Sequence, residues 1–224
     1  MTRRMIWPLL FGLFGTAILI GLGVWQVQRL AWKEDMLAGI EARIGAAPVA
    51  LPVAAEPGAD RYMPVTATGD WTAETLLVLA SVKQVGAVYR VISVLDTGGR
   101  RVLVDRGTIP VDQRDRVIAD GSVAIDGNLH WPAEVDSFTP EPDAGGGLWF
   151  ARDVPAMAEA LGTEPLLIVA RSVLPPDPAI TPRPVGTEGI PNDHLSYAIT
   201  WFSLAIVWLG MTVFLLWRIR QRTV

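Results

Sequence analysis

One of the two histidines in the 224-residue chain sits at the edge of its longest apolar run. His194 lies within Pro191-Asn192-Asp193-His194-Leu195-Ser196-Tyr197-Ala198-Ile199-Thr200-Trp201-Phe202, and Leu195 to Trp217 carries no charged residue. A run of that length is a transmembrane candidate. An imidazole at its mouth has three readings: a ligand, an interface anchor, or a structural residue at a helix start after the capping pair Asn192 and Asp193.

A second segment offers partners for it. Trp7 to Val27 is almost wholly apolar and uncharged, about 21 residues, which as a helix spans roughly 30 Å. It runs into Trp25-Gln26-Val27-Gln28-Arg29-Leu30-Ala31-Trp32-Lys33. On a helix, Trp25, Arg29 and Trp32 share one face, as do His194, Ala198, Trp201, Ala205 and Trp208. If the two runs form a hairpin, its outer mouth gathers a histidine, an arginine, glutamines and several tryptophans. Such a mouth could take a flat apolar cofactor with an anionic edge, the imidazole ligating haem iron and the arginine pairing with carboxylates. The same residues also suit blander roles, as tryptophan belts, a snorkelling arginine and a structural histidine.

Charge distribution sets the topology. All 23 acidic residues lie between Glu34 and Asp193, whereas Arg3 and Arg4 precede the first run and Arg218, Arg220 and Arg222 follow the second. The positive-inside tendency puts both ends in the cytoplasm. The expected organisation is a cytoplasmic 1–6, a transmembrane helix over 7–28, a periplasmic β-rich domain with linker over 29–194, a second transmembrane helix over 195–217, and a basic tail over 218–224. The first run is longer than a signal-peptide core and is followed by a poor cleavage site, so it reads as an uncleaved anchor. No basic patch of nucleic-acid type appears; membrane lipid is the expected surroundings. Small residues at Gly12, Thr16, Ala17 and Gly21, and at Ser203, Ala205 and Gly210, would permit close helix packing.

The middle reads as a β-dominated α+β domain with a curved or barrel-like sheet. Arg29 to about Ile44 extends the first helix, and 46–58 reads as a Pro/Ala-rich linker. Strands are expected over 63–69, ending at a Gly69-Asp70 turn, and over 75–80. A hairpin follows, 87–95 and 101–104 flanking Asp96-Thr97-Gly98-Gly99, then 122–131 and 166–173. One helix is expected between Asp153 and Leu161, with Asp153 as N-cap, Pro155 in the first turn and Gly162 after the end.

Other chemistry finds little support. With no cysteine, thiolate catalysis, CxxC redox chemistry and thiolate metal sites are excluded. His130 stands at a strand end with no G-x-S-x-G serine and no second histidine for a zinc pair, and reads as a satisfied surface or turn residue. The methionines are scattered. Gly145-Gly146-Gly147 follows no strand and opens no helix, so it reads as a flexible turn rather than a phosphate cradle. Asp105-Arg106-Gly107 reads as a surface turn or a strand end near the membrane.

Three segments, taken together, resemble the surfeit locus protein family. Gly23-Val24-Trp25-Gln26-Val27-Gln28-Arg29-Leu30-Ala31-Trp32-Lys33 resembles its G-x-W-Q-x-x-R-x-x-W-K signature. Val104-Asp105-Arg106-Gly107-Thr108-Ile109-Pro110 resembles its central element, departing at Asp105 and Thr108, where Asn and Trp are frequent. Asn192 to Trp201 resembles its final N-x-H-L-x-Y-x-x-T-W motif. The match in order and spacing runs from residue 7 to about 217. The resemblance implies a membrane assembly factor of cytochrome c oxidase, not an enzyme, with two membrane helices around a periplasmic or intermembrane-side domain. It implies transient haem a binding, with His194 as axial ligand and Arg29, Trp25, Trp32, Trp201 and Tyr197 around the cofactor. The implied partners are oxidase subunit I and haem a synthase. With no transit peptide ahead of the first helix, a bacterial inner-membrane member is expected. The alternative is a cofactor-free scaffold that stabilises subunit I.

Overall fold

In chain order, one long helix precedes a β-sheet and another follows it. The computed structural model describes residues 3–143 and 147–222. Helix α1 spans Arg3–Ile44 and helix α3 spans His194–Gln221. Both are long and apolar enough to cross a membrane. Helix α1 up to Gly39 and all of α3 belong to one compact unit, and residues Ile40–Gly186 form another. The polar extension of the first run is continuous with α1 to Ile44, as its composition suggested.

The sheet is built from β1 (Val49–Ala50), β2 (Pro64–Val82), β3 (Gly86–Asp96), β4 (Arg101–Pro110), β5 (Ser122–Leu129), β6 (Leu148–Trp149) and β7 (Leu167–Leu174). A 3-10 turn, Val111–Arg116, follows β4, and α2 (Val154–Leu161) precedes β7. Pairing runs β2–β3–β4–β7–β5, and β5 pairs back onto β2, so these five strands form a closed hydrogen-bonding circuit. Strand β2 makes this possible by serving two neighbours. Its first part pairs with β5 from Pro64 to Asp70, and from Asp70 to Val82 it pairs with β3, across an irregularity between Trp71 and Thr75.

Two corrections to the sequence reading concern β2 and the linker. Residues 63–69 and 75–80 are one strand, and Gly69-Asp70 is not a turn. A Cβ on Gly69 would stand 2.2 Å from the carbonyl oxygen of Asp96, so this glycine marks a close backbone approach inside a strand. Within the expected linker, Val49–Ala50 adds in parallel to β2 at Val65 and Thr66. Of the triglycine, Gly145 and Gly146 lie outside the described residues, and Gly147 accepts from the Leu77 amide at 3.0 Å.

Apolar side chains cover both faces of the sheet. Along β4, Val102 and Val104 enter one core while Leu103 enters the other. The first core draws on all five strands of the circuit, including Val65, Leu95, Val104, Ile125 and Ile168. The second sits under α2, whose Met157 and Ala158 pack against Ile92, Leu103 and Leu167. Strands buried on both faces read as apolar runs rather than as alternations. Helix α2 follows its sequence signals. Asp153 accepts from the Ala156 amide, Pro155 stands in the first turn, and Gly162 closes the end with φ of 59°.

A bulge interrupts the β3–β4 ladder. Ile92 faces Asp105 and Val91 faces Gly107, which leaves Arg106 as the extra residue. Gly107 has φ of +125°, and a Cβ there would lie 2.2 Å from the Thr181 carbonyl oxygen. Gly86 has φ of +96° with open space around it. Gly107→Ala is therefore expected to destabilise the sheet by at least about 2 kcal/mol, and Gly86→Ala by only about 1 kcal/mol. Denaturant midpoints of the β-sheet circular dichroism of the detergent-solubilised chain check both values.

Candidate functional site

The helix pair is assembled by large side chains of α3 seated on glycines of α1. Cβ atoms added at Gly12, Gly15 and Gly23 would come within 2.1, 2.5 and 2.7 Å of Thr212, Trp208 and Phe202 respectively. As the α1 numbers rise the α3 numbers fall, so the helices run antiparallel. One turn beyond the Gly23–Phe202 contact, His194 Nδ1 and Gln26 Oε1 lie 2.8 Å apart. Gln26 is 8% exposed, and His194 is half-buried.

Other polar groups at this seam satisfy themselves on backbone. Thr16 donates to Gly12 O at 2.8 Å, Trp208 Nε1–H to the same oxygen at 3.1 Å, and Thr212 to Trp208 O at 2.8 Å. Among the described residues no hydrogen bond engages His194 Nε2. Asp193 is the N-cap residue of α3, but its side chain makes no capping hydrogen bond, contrary to the Asn-Asp capping expectation. Of the small residues singled out in the sequence, Gly12, Thr16 and Ala205 lie in the seam, while Ala17, Gly21, Ser203 and Gly210 are exposed. Gly15 and Gly23, which the small-xxx-small spacing passed over, join Gly12 in seating α3 side chains.

The remaining sequence candidates spread around this contact. Trp25 and Trp32 are 53% and 50% exposed, and the Arg29 guanidinium lies 4.0 Å from the Trp32 ring centre. That cation–π contact is worth about 0.5–1 kcal/mol at an exposed site. Tyr197 is exposed and Trp201 half-buried. The side chain of α1 that meets His194 is thus Gln26, one residue past Trp25. Its signal was an amide in an otherwise charge-free apolar run, which must be bonded if it is buried. Among the described residues no group of three or more His, Asp or Glu is arranged around a metal ion. A single imidazole still matches what an axial haem-iron ligand requires, which is one ring nitrogen not otherwise engaged.

The sheet unit carries a second polar constellation that the sequence reading misplaced. Asp105 is fully buried within β4, not at a surface turn. Its Oδ2 accepts from Arg90 Nε at 2.7 Å and from Arg152 Nη1 at 3.1 Å, and its Oδ1 from the Gly107 amide at 3.1 Å. Arg152 also binds Glu134 through Nε, Nη2 and its backbone amide. Burial opposes the Glu134 charge, but these bonds outweigh it and hold its carboxyl below the usual range. On the opposite face, the bulged Arg106 donates to Asp177 at 2.6 Å and to Ile118 O at 2.9 Å, and lies 4.9 Å from the Trp71 ring centre. A tripeptide of two charges and a glycine looks like a turn; placed within β4, it sends each charge into a different buried face by strand alternation.

His130 is likewise not a satisfied surface residue. Its ring stacks on Tyr62 with centroids 5.4 Å apart, and its Nδ1 is buried without a hydrogen-bond partner. Burial, then the nearby Arg152 and Arg61, lower its pKa to about 4.

Comparison with known proteins covers nearly the whole chain. Residues 13–206 match the SURF1 family, a span containing both Gln26 and His194. A SURF1-like protein of Monosiga brevicollis is 30% identical over 88% of this chain and 83% of its own. Surfeit locus protein 1 of Rattus norvegicus is 31% identical over 87% of this chain and 71% of its own. The Homo sapiens protein of that name is 30% identical over 83% and 69%.

The buried charges give two expectations. Asp105→Ala leaves Arg90 and Arg152 without their shared carboxylate, and should cost about 3–5 kcal/mol in denaturant unfolding of the sheet unit. His130 is held neutral by the fold, so its contribution is complete above an unfolded pKa of about 6.5 and is lost as pH falls through about 4. For a half-buried ring that loss is on the order of 1–2 kcal/mol. His130→Gln should flatten the stability profile between those two pH values, read from unfolding midpoints at each pH.

Proposed function

The chain belongs to the SURF1 family, and from that premise we propose that it is a membrane-anchored assembly factor of cytochrome c oxidase. In this reading it holds haem a through His194 and passes it to oxidase subunit I, with haem a synthase as the source. It catalyses no bond-making step. The family resemblance supports the oxidase and the haem; the arginines flanking the two apolar helices support cytoplasmic ends and a periplasmic sheet unit.

One observation carries the haem reading. His194 is the first residue of an apolar helix long enough to span a bilayer, and its ring is engaged at Nδ1 while no hydrogen bond among the described residues engages Nε2. That leaves one imidazole nitrogen for iron at the mouth of the helix. The exposed rings of Trp25, Trp32 and Tyr197 would offer apolar surface to a macrocycle, and Arg29 a cation for its carboxylates. When bound, haem a supplies the redox iron destined for the oxidase; the chain supplies a ligand and cover.

The decisive measurement is the absorption spectrum of the chain purified from cells that make haem a. The wild type should show a Soret band, lost or shifted in His194→Ala. A colourless wild type would overturn haem holding and leave the cofactor-free scaffold that steadies subunit I.

A further inference from the structure

We infer that Gln26 is the positioning residue of the His194 site: its side-chain oxygen holds the proton of the imidazole on Nδ1 and so keeps the Nε2 lone pair presented for a metal. The part of this that concerns the metal rests on the haem-holding reading above; the part that concerns the proton does not.

The geometry comes first. Gln26 Oε1 and His194 Nδ1 are 2.8 Å apart. An amide oxygen only accepts, so the partner nitrogen must carry the hydrogen. Neutral imidazole has one N–H, and placing it on Nδ1 leaves Nε2 as the nitrogen with an available lone pair. A histidine free in water favours the opposite tautomer, with the proton on Nε2, which would have to be relocated before that nitrogen could coordinate. The Gln26 contact makes the rearrangement in advance, so that coordination neither takes up nor releases a proton.

The packing explains why this acceptor stays in place. Gln26 is 8% exposed on a helix apolar enough to cross a membrane, where an unpaired amide is costly. The hydroxyl and indole groups farther along the seam, at Thr16, Trp208 and Thr212, are committed to backbone oxygens. The Phe202 ring seated on Gly23 fixes the helices one turn away from the His–Gln contact. Metal-ligating histidines are commonly oriented by an acceptor on their other nitrogen, and loss of such an acceptor typically weakens metal binding by 10–100-fold. Trp25, Arg29 and Trp32 cannot take this role from where they stand, since they are exposed or engaged with each other.

The test uses the full chain in lipid nanodiscs, with 15N-histidine labelling and His130→Gln in the background so that one imidazole reports. At about pH 9, where an imidazole is neutral, the apo protein should carry its proton on Nδ1. Gln26→Leu should move the population toward Nε2–H, and Gln26→Glu, which keeps an acceptor, should restore Nδ1–H. With haem a as probe, Gln26→Leu should retain about 10–100-fold less haem than wild type, while Gln26→Glu should bind it and lower the iron reduction potential. A proton on Nε2 in the wild type, or a tautomer ratio unmoved by Gln26→Leu, overturns the inference. So does a Gln26→Leu protein that matches wild type in haem retention and potential. A wild type that carries Nδ1–H yet holds no haem a upholds the Gln26 assignment and overturns the haem-holding reading instead.

Discussion

A polar side chain buried in an apolar helix has to find its partner within the protein, because neither lipid nor a neighbouring methyl group can supply one. In the helix pair that requirement falls on Gln26. Its position on α1 leaves it facing α3, and the group that answers it is the His194 ring. Everything else about the pair serves that contact. Glycines at 12, 15 and 23 let Thr212, Trp208 and Phe202 approach the α1 backbone closely, and the three contacts together allow one antiparallel register. A slip of either helix by one residue would drive a ring into a neighbouring side chain and turn Gln26 away from the imidazole.

The sheet unit solves a related problem by different means. Asp105 and Arg106 are adjacent in sequence and both buried, which a regular strand permits only if each face contains a counter-charge. On one face Arg90 and Arg152 converge on Asp105; on the other Asp177 meets Arg106. Strand alternation sets these directions; the bulge leaves Arg106 as the extra residue of the ladder, and the Thr181 backbone closes over Gly107, whose φ is positive. A hydrophobic substitute of similar volume could match such a cluster in stability. Its distinctive contribution is to tie β3, β4 and the segments around Glu134, Arg152 and Asp177 to one arrangement.

Local chemistry made much of this legible in the sequence. The apolar runs, the Asp96–Gly99 hairpin and the Asp153–Gly162 frame of α2 each carry their cause within a few residues. Failures came where a residue answers something distant. Gly69 looks like a turn until the Asp96 carbonyl is placed against it. Asp105-Arg106-Gly107 looks solvated until arginines from β3 and from residue 152 are brought to it. His130 looks like a satisfied surface residue until Tyr62 is stacked on it. At the helix mouth the sequence pattern points to the bulky face of Trp25, Arg29 and Trp32, because aromatic and cationic side chains are what a cofactor would touch. The seam instead selects small residues and a single amide, because helices in an apolar medium associate by close approach and by internal hydrogen bonds.

In the proposed haem-holding reading, where His194 stands on α3 would bear on release as much as on binding. The first turn of a helix has unsatisfied amides, and its usual remedy is an N-cap side chain. Asp193 supplies no such bond; its backbone oxygen accepts from the Tyr197 amide at 3.2 Å. Helix ends of this kind open locally at low free energy. A ligand mounted there is steadied chiefly from across the seam, by an interaction worth about 0.6–2 kcal/mol in an apolar medium. That is strong enough to choose a tautomer and an orientation, and weak enough for a change at the helix start to undo. A ligand mounted mid-helix would sit in a frame that yields only with the whole helix, whereas one at the helix start, as proposed for His194, would need only a single turn to give way.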